Sequence, residues 1–336
     1  MVGDEVTLDY VASKAGVSRA AASRALNDRP GVADDVRDRV KTIAESLNYR
    51  PNRAAQNLAG GRTRVVGLVL GGNELQTDIY AASLTQAVAK AADSFDEGLM
   101  LLLAGQEPGR AVQNLLRDGL VDGVIVTALA MYEPWVEELM QTKLPKVILG
   151  SRPVGVTAPF VGVENCESSA LIVEHLLDTG CQHVGIVTGP LDRLDSQLRL
   201  KGYRLAHERR NLAIDDALVV EGTFQRESGY VQGNILLERG VDAVFASNDE
   251  MALGVLRAAT ERGIACPADL SVAGFDGTSF LDQLGIDVTT LVQPFDELGM
   301  TAMGMLVDLL CGKELADSGI SVAPTVRFGS TTRPAS

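Results

Sequence analysis

From Val65 onward, short apolar runs alternate with helical stretches, and this alternation limits the fold more than any other feature of the 336-residue chain. VVGLVL (65–70), LMLLL (99–103), GVIVT (123–127) and KVILG (146–150) are short and uniformly apolar. They read as strands buried on both faces, the form taken in parallel sheets covered by helices. Helical stretches near 79–95, 110–118 and 133–141 separate them, which fits βαβ units with right-handed crossovers. A second set, PFVGVE, HVGIVTG, ALVVEG, AVFASND and LSVAGFD, repeats the pattern and predicts two similar α/β lobes. Ligands of such sheets bind beyond the carboxyl ends of the strands, so a cleft between the lobes is the expected site.

The first sixty residues have another texture. VTLDYVASKAGVSRAAASRALN predicts two short helices, Leu8 to Lys14 and Arg19 to Leu26, joined at Ala15, Gly16 and Val17. Gly16 gives the turn its permissive backbone and Ser18 is a natural N-cap. Val11, Ala12, Val17, Ala22 and Leu26 can form a small core, which turns Arg19, Ala20, Ser23 and Arg24 outward. A third helix follows with Val36, Val40, Ile43, Ala44 and Leu47 on one face, and then NYRPNRAAQNLAG. The net charge of −14 argues against a nucleic-acid partner only until it is divided by segment. Met1 to Arg64 holds eleven Lys and Arg against eight Asp and Glu, whereas the remainder holds nineteen against thirty-six. Only the amino-terminal segment is basic, so affinity for DNA would rest on a few placed contacts rather than on bulk charge.

Val6 to Gly60 resembles the DNA-binding headpiece of the lactose-repressor (LacI/GalR) family, position for position and without a gap. Arg62 to Arg333 resembles the same family's effector domain through GPLDRLDSQLRLKGY, FQRESGY, ASNDEMALGVLRA and LSVAGFDGT. The resemblance implies an α-helical helix-turn-helix headpiece (1–51), a hinge helix (52–61) and a two-lobed, periplasmic-binding-protein-like α/β domain (62–336) with parallel sheets and three crossovers. Those crossovers fall near Phe160 to Gly162, Thr290 to Gln293 and Ile320 to Pro324. One lobe then takes about 62–161 plus 291–319, and the other 162–290 plus 320–336. The resemblance also places Thr7, Leu8, Ser18, Arg19, Ala20, Ser23, Arg24 and Asn27 on DNA, together with Asn52, Arg53, Ala55, Gln56 and Leu58 of the hinge. Arginine can read guanine with two bonds, while Ala20 offers only a methyl contact.

Arg53 to Ala59 is too short to be a stable helix alone. In the family, two such segments fold together in the minor groove, with the leucine matching Leu58 wedged into a base step to bend the duplex. The expected partners are a pseudo-palindromic double-stranded operator, a second copy of the chain and a small-molecule effector, a sugar or nucleoside-like compound. The chain ends in TTRPAS without the leucine heptad of family tetramers, so a homodimer is expected. In the third headpiece helix the family's capping serine is replaced by Ala33, which predicts a weaker start offset by Asp34 and Asp35.

A buried polyol needs a partner for every hydroxyl, so multi-donor and multi-acceptor side chains at strand ends are what its recognition demands. Arg199, Asn248 and Asp276 stand at the family's effector-contacting positions, and Asp195 can accept from ligand hydroxyls. Asn248 and Asp276 read equally well as helix N-caps. Tyr80 and Phe224 could stack on a ring, or serve as core. Many family members carry an acidic residue after the strand matching KVIL; Gly150 and Ser151 stand there instead, which weakens the case for a simple hexose.

Catalysis is not expected. His175, His183 and His207 lack a neighbouring nucleophile, and Gly71-Gly72 is neither GxGxxG nor a P-loop. Cys166, Cys181, Cys266 and Cys311 show no metal-ligand spacing and read as small buried hydrophobes of a reducing compartment; no cofactor or metal is expected. No apolar signal region follows Met1, and no run approaches a membrane span, so a cytoplasmic protein is expected. The competing reading is a solute-binding protein of a transport system, which would not need the headpiece.

Overall fold

A computed structural model describes residues 6–49, 62–71, 79–104, 119–127, 134–153, 155–316 and 318–334. It divides into two compact units, Met1–Thr63 and Arg64–Ser336. The hinge residues Asn52, Arg53, Ala55, Gln56 and Leu58, and the helix expected over 110–118, lie outside the described residues.

The first unit contains α1 (Leu8–Ala15), α2 (Arg19–Leu26) and α3 (Asp34–Ser46). Thr7 caps α1 by accepting from the Tyr10 amide at 3.3 Å, and Ser18 caps α2 by accepting from the Ala21 amide at 3.2 Å. Gly16 sits in the left-handed region at φ 68°, closing α1 where a side chain would be strained. As the sequence predicts, Ala33 gives α3 no side-chain cap, and Asp34 and Asp35 occupy its first turn. Val11, Ala12, Ala15, Ala22, Ala25, Val40 and Ala44 form the core. Val17 and Leu26 pack at its margin rather than inside it. The small alanines let the helices approach closely. Arg37 ties the α2–α3 loop down by donating to Asp28 at 3.1 Å, joined by Lys41 at 2.7 Å.

The second unit carries two six-stranded sheets. The first draws on β1 (Val65–Gly71), β2 (Gly98–Ala104), β3 (Gly123–Thr127), β4 (Lys146–Leu149) and β5 (Phe160–Val163), with α4 (Ile79–Ser94) and α5 (Pro134–Gln141) between strands. The chain then passes through α6 (Asn165–Asp178), β6 (Val184–Thr188), α7 (Leu194–Arg209), β7 (Val219–Glu221), α8 (Arg226–Glu238), β8 (Ala243–Ala246), α9 (Asp249–Glu261), β9 (Ser271–Asp276), α10 (Ser279–Leu284) and β10 (Thr289–Val292). It returns to the first lobe with α11 (Phe295–Leu310) and β11 (Gly319–Val322), and ends in the second with β12 (Thr325–Arg327).

The first sheet has the order β11-β5-β4-β3-β1-β2 and the second β12-β10-β9-β8-β6-β7. All pairs are parallel except β10 with β12. β1 and β3 are buried along almost their whole length, as expected of strands covered on both faces. The α11 residues Leu298, Ala302, Met303 and Leu306 close the core of the first lobe beside Leu84, Val88 and Ala91 of α4.

The strand PFVGVE, read from sequence as opening the second lobe, belongs to the first sheet, pairing with β4 and β11. Likewise β10 lies wholly in the second sheet and β11 wholly in the first. The chain therefore changes lobe just after each of these strands, at 164, 293–294 and 323–324; the first comes slightly after the expected 160–162, the second at the end of 290–293 and the third within 320–324. A short apolar run carries no address; its sheet is set by the neighbour that takes its backbone bonds. Of the cysteines, Cys181 is buried, Cys166 and Cys266 are half-buried and Cys311 is exposed, so the expectation of four buried thiols holds in full only for Cys181 and fails outright for Cys311. All four are free.

Candidate effector cleft and DNA-facing helix

On the first unit, α2 displays Arg19, Ala20, Arg24 and the adjoining Asn27 to solvent, with Ser23 half-buried. Thr7 and Ser18 are exposed and spend their side-chain oxygens on the caps, and Leu8 packs at the margin of the core. Asn27 donates to the Ser23 carbonyl at 2.7 Å. Sequence reasoning missed two neighbours. Tyr10 is an exposed aromatic with the Lys14 ammonium 5.4 Å from its ring centre. Asp9 meets the Arg19 guanidinium at 3.6 Å. The Tyr49 phenol is pushed above its ordinary range chiefly by burial, while the Arg19 charge opposes this and the Asp9 charge adds to it.

In the second unit, a cleft of about 630 Å³, its mouth included, opens between the lobes. Tyr80 of α4, Thr127 at the end of β3, and Gly150 and Ser151 after β4 line it from one lobe. Arg193, Asp195, Arg199, Phe224, Asn248 and Asp276 line it from the other. The six residues singled out in the sequence thus converge on one cavity, at the carboxyl ends of strands and the starts of helices. Parallel sheets leave their backbone ends and helix N-termini facing there, so polar ligands find unspent donors.

Arg199 is the centre of the polar floor. Its Nε donates to Asn165 Oδ1 at 2.8 Å and its Nη1 to the Ser247 carbonyl at 2.5 Å. Nη1 also lies 3.9 Å from the Asp276 carboxylate, and the guanidinium rests 3.7 Å over the centre of the Phe275 ring. Both charged side chains are only 6% exposed, so each needs the other. Asp276 receives a further bond from Gln293 Nε2 at 2.7 Å.

Asp195 accepts from the Ser151 hydroxyl at 2.5 Å and from Asn165 Nδ2 at 2.9 Å, the first of these crossing from lobe to lobe. Ser151, read from sequence only as the loss of an acceptor, is a donor to the carboxylate opposite. Asn165 uses both ends of its amide and positions Asp195 and Arg199 together. Its signal in the sequence was slight: an Asn opening a helix just after a lobe change.

Of the alternatives left open by the sequence, Asn248 does cap a helix: its Oδ1 accepts from the Met251 amide at 2.9 Å and its Nδ2 donates to the Phe224 carbonyl at 2.9 Å. Asp276 instead turns to Gln293 and Arg199, and α10 begins later, at Ser279. Two cleft residues, Phe224 at φ 65° and Asp276 at φ 114°, adopt backbone that side chains seldom take. Strain of this kind persists where the surroundings fix the residue, commonly at binding sites. Gly189 makes room for Phe224, since a Cβ there would collide with the ring.

Behind the cleft, Asp249 is almost wholly buried. It accepts from Thr290 Oγ1 at 2.6 Å, the Gly277 amide at 2.7 Å and the Thr278 amide at 3.3 Å, and so anchors the loop after Asp276. Burial pushes its carboxyl up to about 7, against the pull of these bonds and of the Arg327 charge. Among the described residues no group of His, Cys, Asp and Glu could hold a metal, and no helix is long and apolar enough to cross a membrane.

A helix-turn-helix unit followed by a two-lobed cleft defines a DNA-binding regulator with a small-molecule site. Comparison with known proteins supports this in both parts. Residues 7–52 match the model of bacterial regulatory proteins of the lacI family, and residues 173–332 that of the periplasmic binding protein-like domain. Catabolite control protein A of Priestia megaterium is 32% identical over 335 residues, covering 98% of this chain and 99% of that protein. Among solved structures, the lac repressor dimer bound to operator and the anti-inducer ONPF is 28% identical with a TM-score of 0.84, over 98% of this chain and 99% of that one. A complex of the transcriptional regulator CelR with cellobiose is 29% identical with a TM-score of 0.75, over 97% and 99%. The chain belongs to the lacI family of bacterial regulatory proteins and is a DNA-binding transcriptional regulator.

Proposed function

We propose that this protein is a homodimeric repressor of transcription in the cytoplasm, whose hold on a pseudo-palindromic operator is set by a sugar or nucleoside-like effector in the interlobe cleft. The observation that carries this reading is the convergence of Tyr80, Asp195, Arg199, Phe224, Asn248 and Asp276 on one cleft in a chain that also bears the helix-turn-helix. The relatives named above include a protein complexed with cellobiose and a dimer complexed with an operator, which supports both halves.

The neutral balance of the lining favours an uncharged polyhydroxylated ligand: Arg193 and Arg199 stand against Asp195 and Asp276. The aromatic faces of Tyr80 and Phe224 would cover its apolar side. Arg19, Ala20, Ser23, Arg24 and Asn27 would meet the major groove, with Thr7, Leu8 and Ser18 nearby. Asn52, Arg53, Ala55, Gln56 and Leu58 would meet the minor groove. Occupying the cleft alters the angle between the lobes, and hence the distance between the two hinges. The coupling is reciprocal, so an effector that releases DNA binds the DNA complex less tightly by the same factor. No catalytic step is assigned to the cleft.

Gel shifts with fragments from upstream of the protein's own coding region, with and without candidate sugars and nucleosides, test the proposal. Retention that is lost on deleting Met1 to Gly61, and altered by one compound, is the expected result. Binding indifferent to that deletion would refute it. Leu58→Ala should weaken specific binding more than non-specific binding at fixed salt; equal losses would remove the wedge.

A further inference from the structure

Arg19 is the first residue of α2 and Asp9 lies in the first turn of α1, with Arg19 Nε 3.6 Å from the Asp9 carboxylate. Both side chains are about two-thirds exposed, at 69% and 66%. An ion pair this wet adds little to stability. A carboxylate on a surface that meets phosphate also lowers affinity for every duplex, whatever its sequence. The dipole of α1 favours a carboxylate in its first turn, but that needs no arginine beside it; what the pairing with Arg19 adds is orientation of the guanidinium. Arginine is a long side chain that gives up rotamer freedom whenever it adopts one pose, and a carboxylate at Nε supplies that pose in advance. With Nε engaged, the two Nη nitrogens stay together at the free end of the fork, the geometry that matches O6 and N7 of guanine.

We propose that Asp9 is a specificity-determining residue: it positions Arg19 through Nε so that the guanidinium end reads one guanine in each half-site, and it lowers general affinity in doing so. The inference rests on the reading of Arg19 as a base-reading residue. Ala20, beside it, is too short to compete for that base. The pair would therefore fix one position of the operator on its own.

The test uses the full-length protein and a randomised duplex library to find the preferred site of the wild type, and then of Asp9→Asn, Asp9→Ala and Arg19→Ala. Anisotropy titrations follow on that site, on the same site with the conserved guanine changed to adenine in both halves, and on an unrelated duplex. In both Asp9 variants the preference for guanine at one position should fall by roughly threefold to tenfold, part of what a two-point arginine contact carries. Binding to the unrelated duplex should stay constant or tighten. Arg19→Ala should lose the same preference entirely. If the Asp9 variants retain the wild-type preference while Arg19→Ala loses it, the proposal fails alone; if Arg19→Ala also retains it, the reading of Arg19 fails. A uniform loss across all three duplexes in the Asp9 variants would mark a structural role and overturn the proposal.

Discussion

Replacing Asp249 with Asn should make the effector domain more stable, by roughly 1–2 kcal/mol at pH 5 and by more at neutral and alkaline pH. Three groups donate to the carboxyl: the Thr290 hydroxyl and the Gly277 and Thr278 amides. An Asn side chain of the same shape can accept from both amides through its oxygen and donate to Thr290 through its nitrogen, as a protonated Asp does. Burial holds the folded carboxyl up to about 7, whereas its ordinary value is 3.8. Because the folded value is the higher one, the native state retains a proton that the unfolded chain releases. Stability from this group is complete below the unfolded value, declines as pH rises towards 7, and is level beyond it. Between pH 5 and 8 the wild type loses the equivalent of about two pH units, or roughly 2–3 kcal/mol, and the variant none of it. Urea unfolding followed by far-UV circular dichroism at pH 5, 6, 7 and 8 measures the difference. It should widen in favour of Asp249→Asn up to about pH 7 and then hold constant. Parallel profiles would refute the argument that burial, rather than the Arg327 charge, dominates this carboxyl. Asp249→Ala separates titration from bonding, since it strands three buried donors and should cost about 3 kcal/mol or more at every pH.

Three further outcomes follow from the geometry. Ser18→Ala removes the oxygen that caps α2 and should cost the headpiece about 1 kcal/mol, whereas Ala33→Ser should regain up to a similar amount at α3; calorimetry of the headpiece unfolding transition that showed neither shift would contradict the capping assignment. Arg199→Met leaves Asp276 buried without its cation and should destabilise by about 3 kcal/mol, and adding Asp276→Asn should recover part of that; strict additivity of the two in thermal unfolding would mean the pair is uncoupled. Gly189→Ala forces the Phe224 ring from its place in the cleft wall. Its affinity for any ligand found by thermal-shift screening should fall at least several-fold while DNA binding without ligand is unchanged, and an unaltered affinity would take Phe224 out of the ligand surface.

The parts of the molecule that could be read from the chain are those written in local pattern. The apolar runs at β1, β3 and β4 were legible because a strand buried on both faces needs no polar partner, and the Gly16 turn because few residues tolerate its backbone. Arg199, Asn248 and Asp276 were legible through the family resemblance, which places them at effector-contacting positions, and the strand end or helix start beside Asn248 and Asp276 agrees with it. Asn165, Ser151 and Gln293 were not, since each acquires its role from a group well separated in sequence: Asp195 is thirty residues from Asn165 and forty-four from Ser151, and Asp276 is seventeen from Gln293. The positive-φ backbone at Phe224 and Asp276 was equally hidden: an aromatic residue seldom takes it, and the φ of 114° at Asp276 lies outside the left-handed well that Asp visits more readily. Nothing in the sequence singles out Asp249 from other acidic residues in a helix's first turn; its burial comes from the packing of β9 and β10 against α9.

The order in which the chain visits its lobes bears on how the protein is made. The first sheet lacks an edge strand until β11 emerges, and its core lacks Leu298, Met303 and Leu306 until α11 does, although β1 left the ribosome more than two hundred residues before. The second lobe waits likewise for β12. A nascent chain interrupted between Val292 and Gly319 would leave both sheets without an edge strand at once, so the two lobes are completed within a few residues of each other.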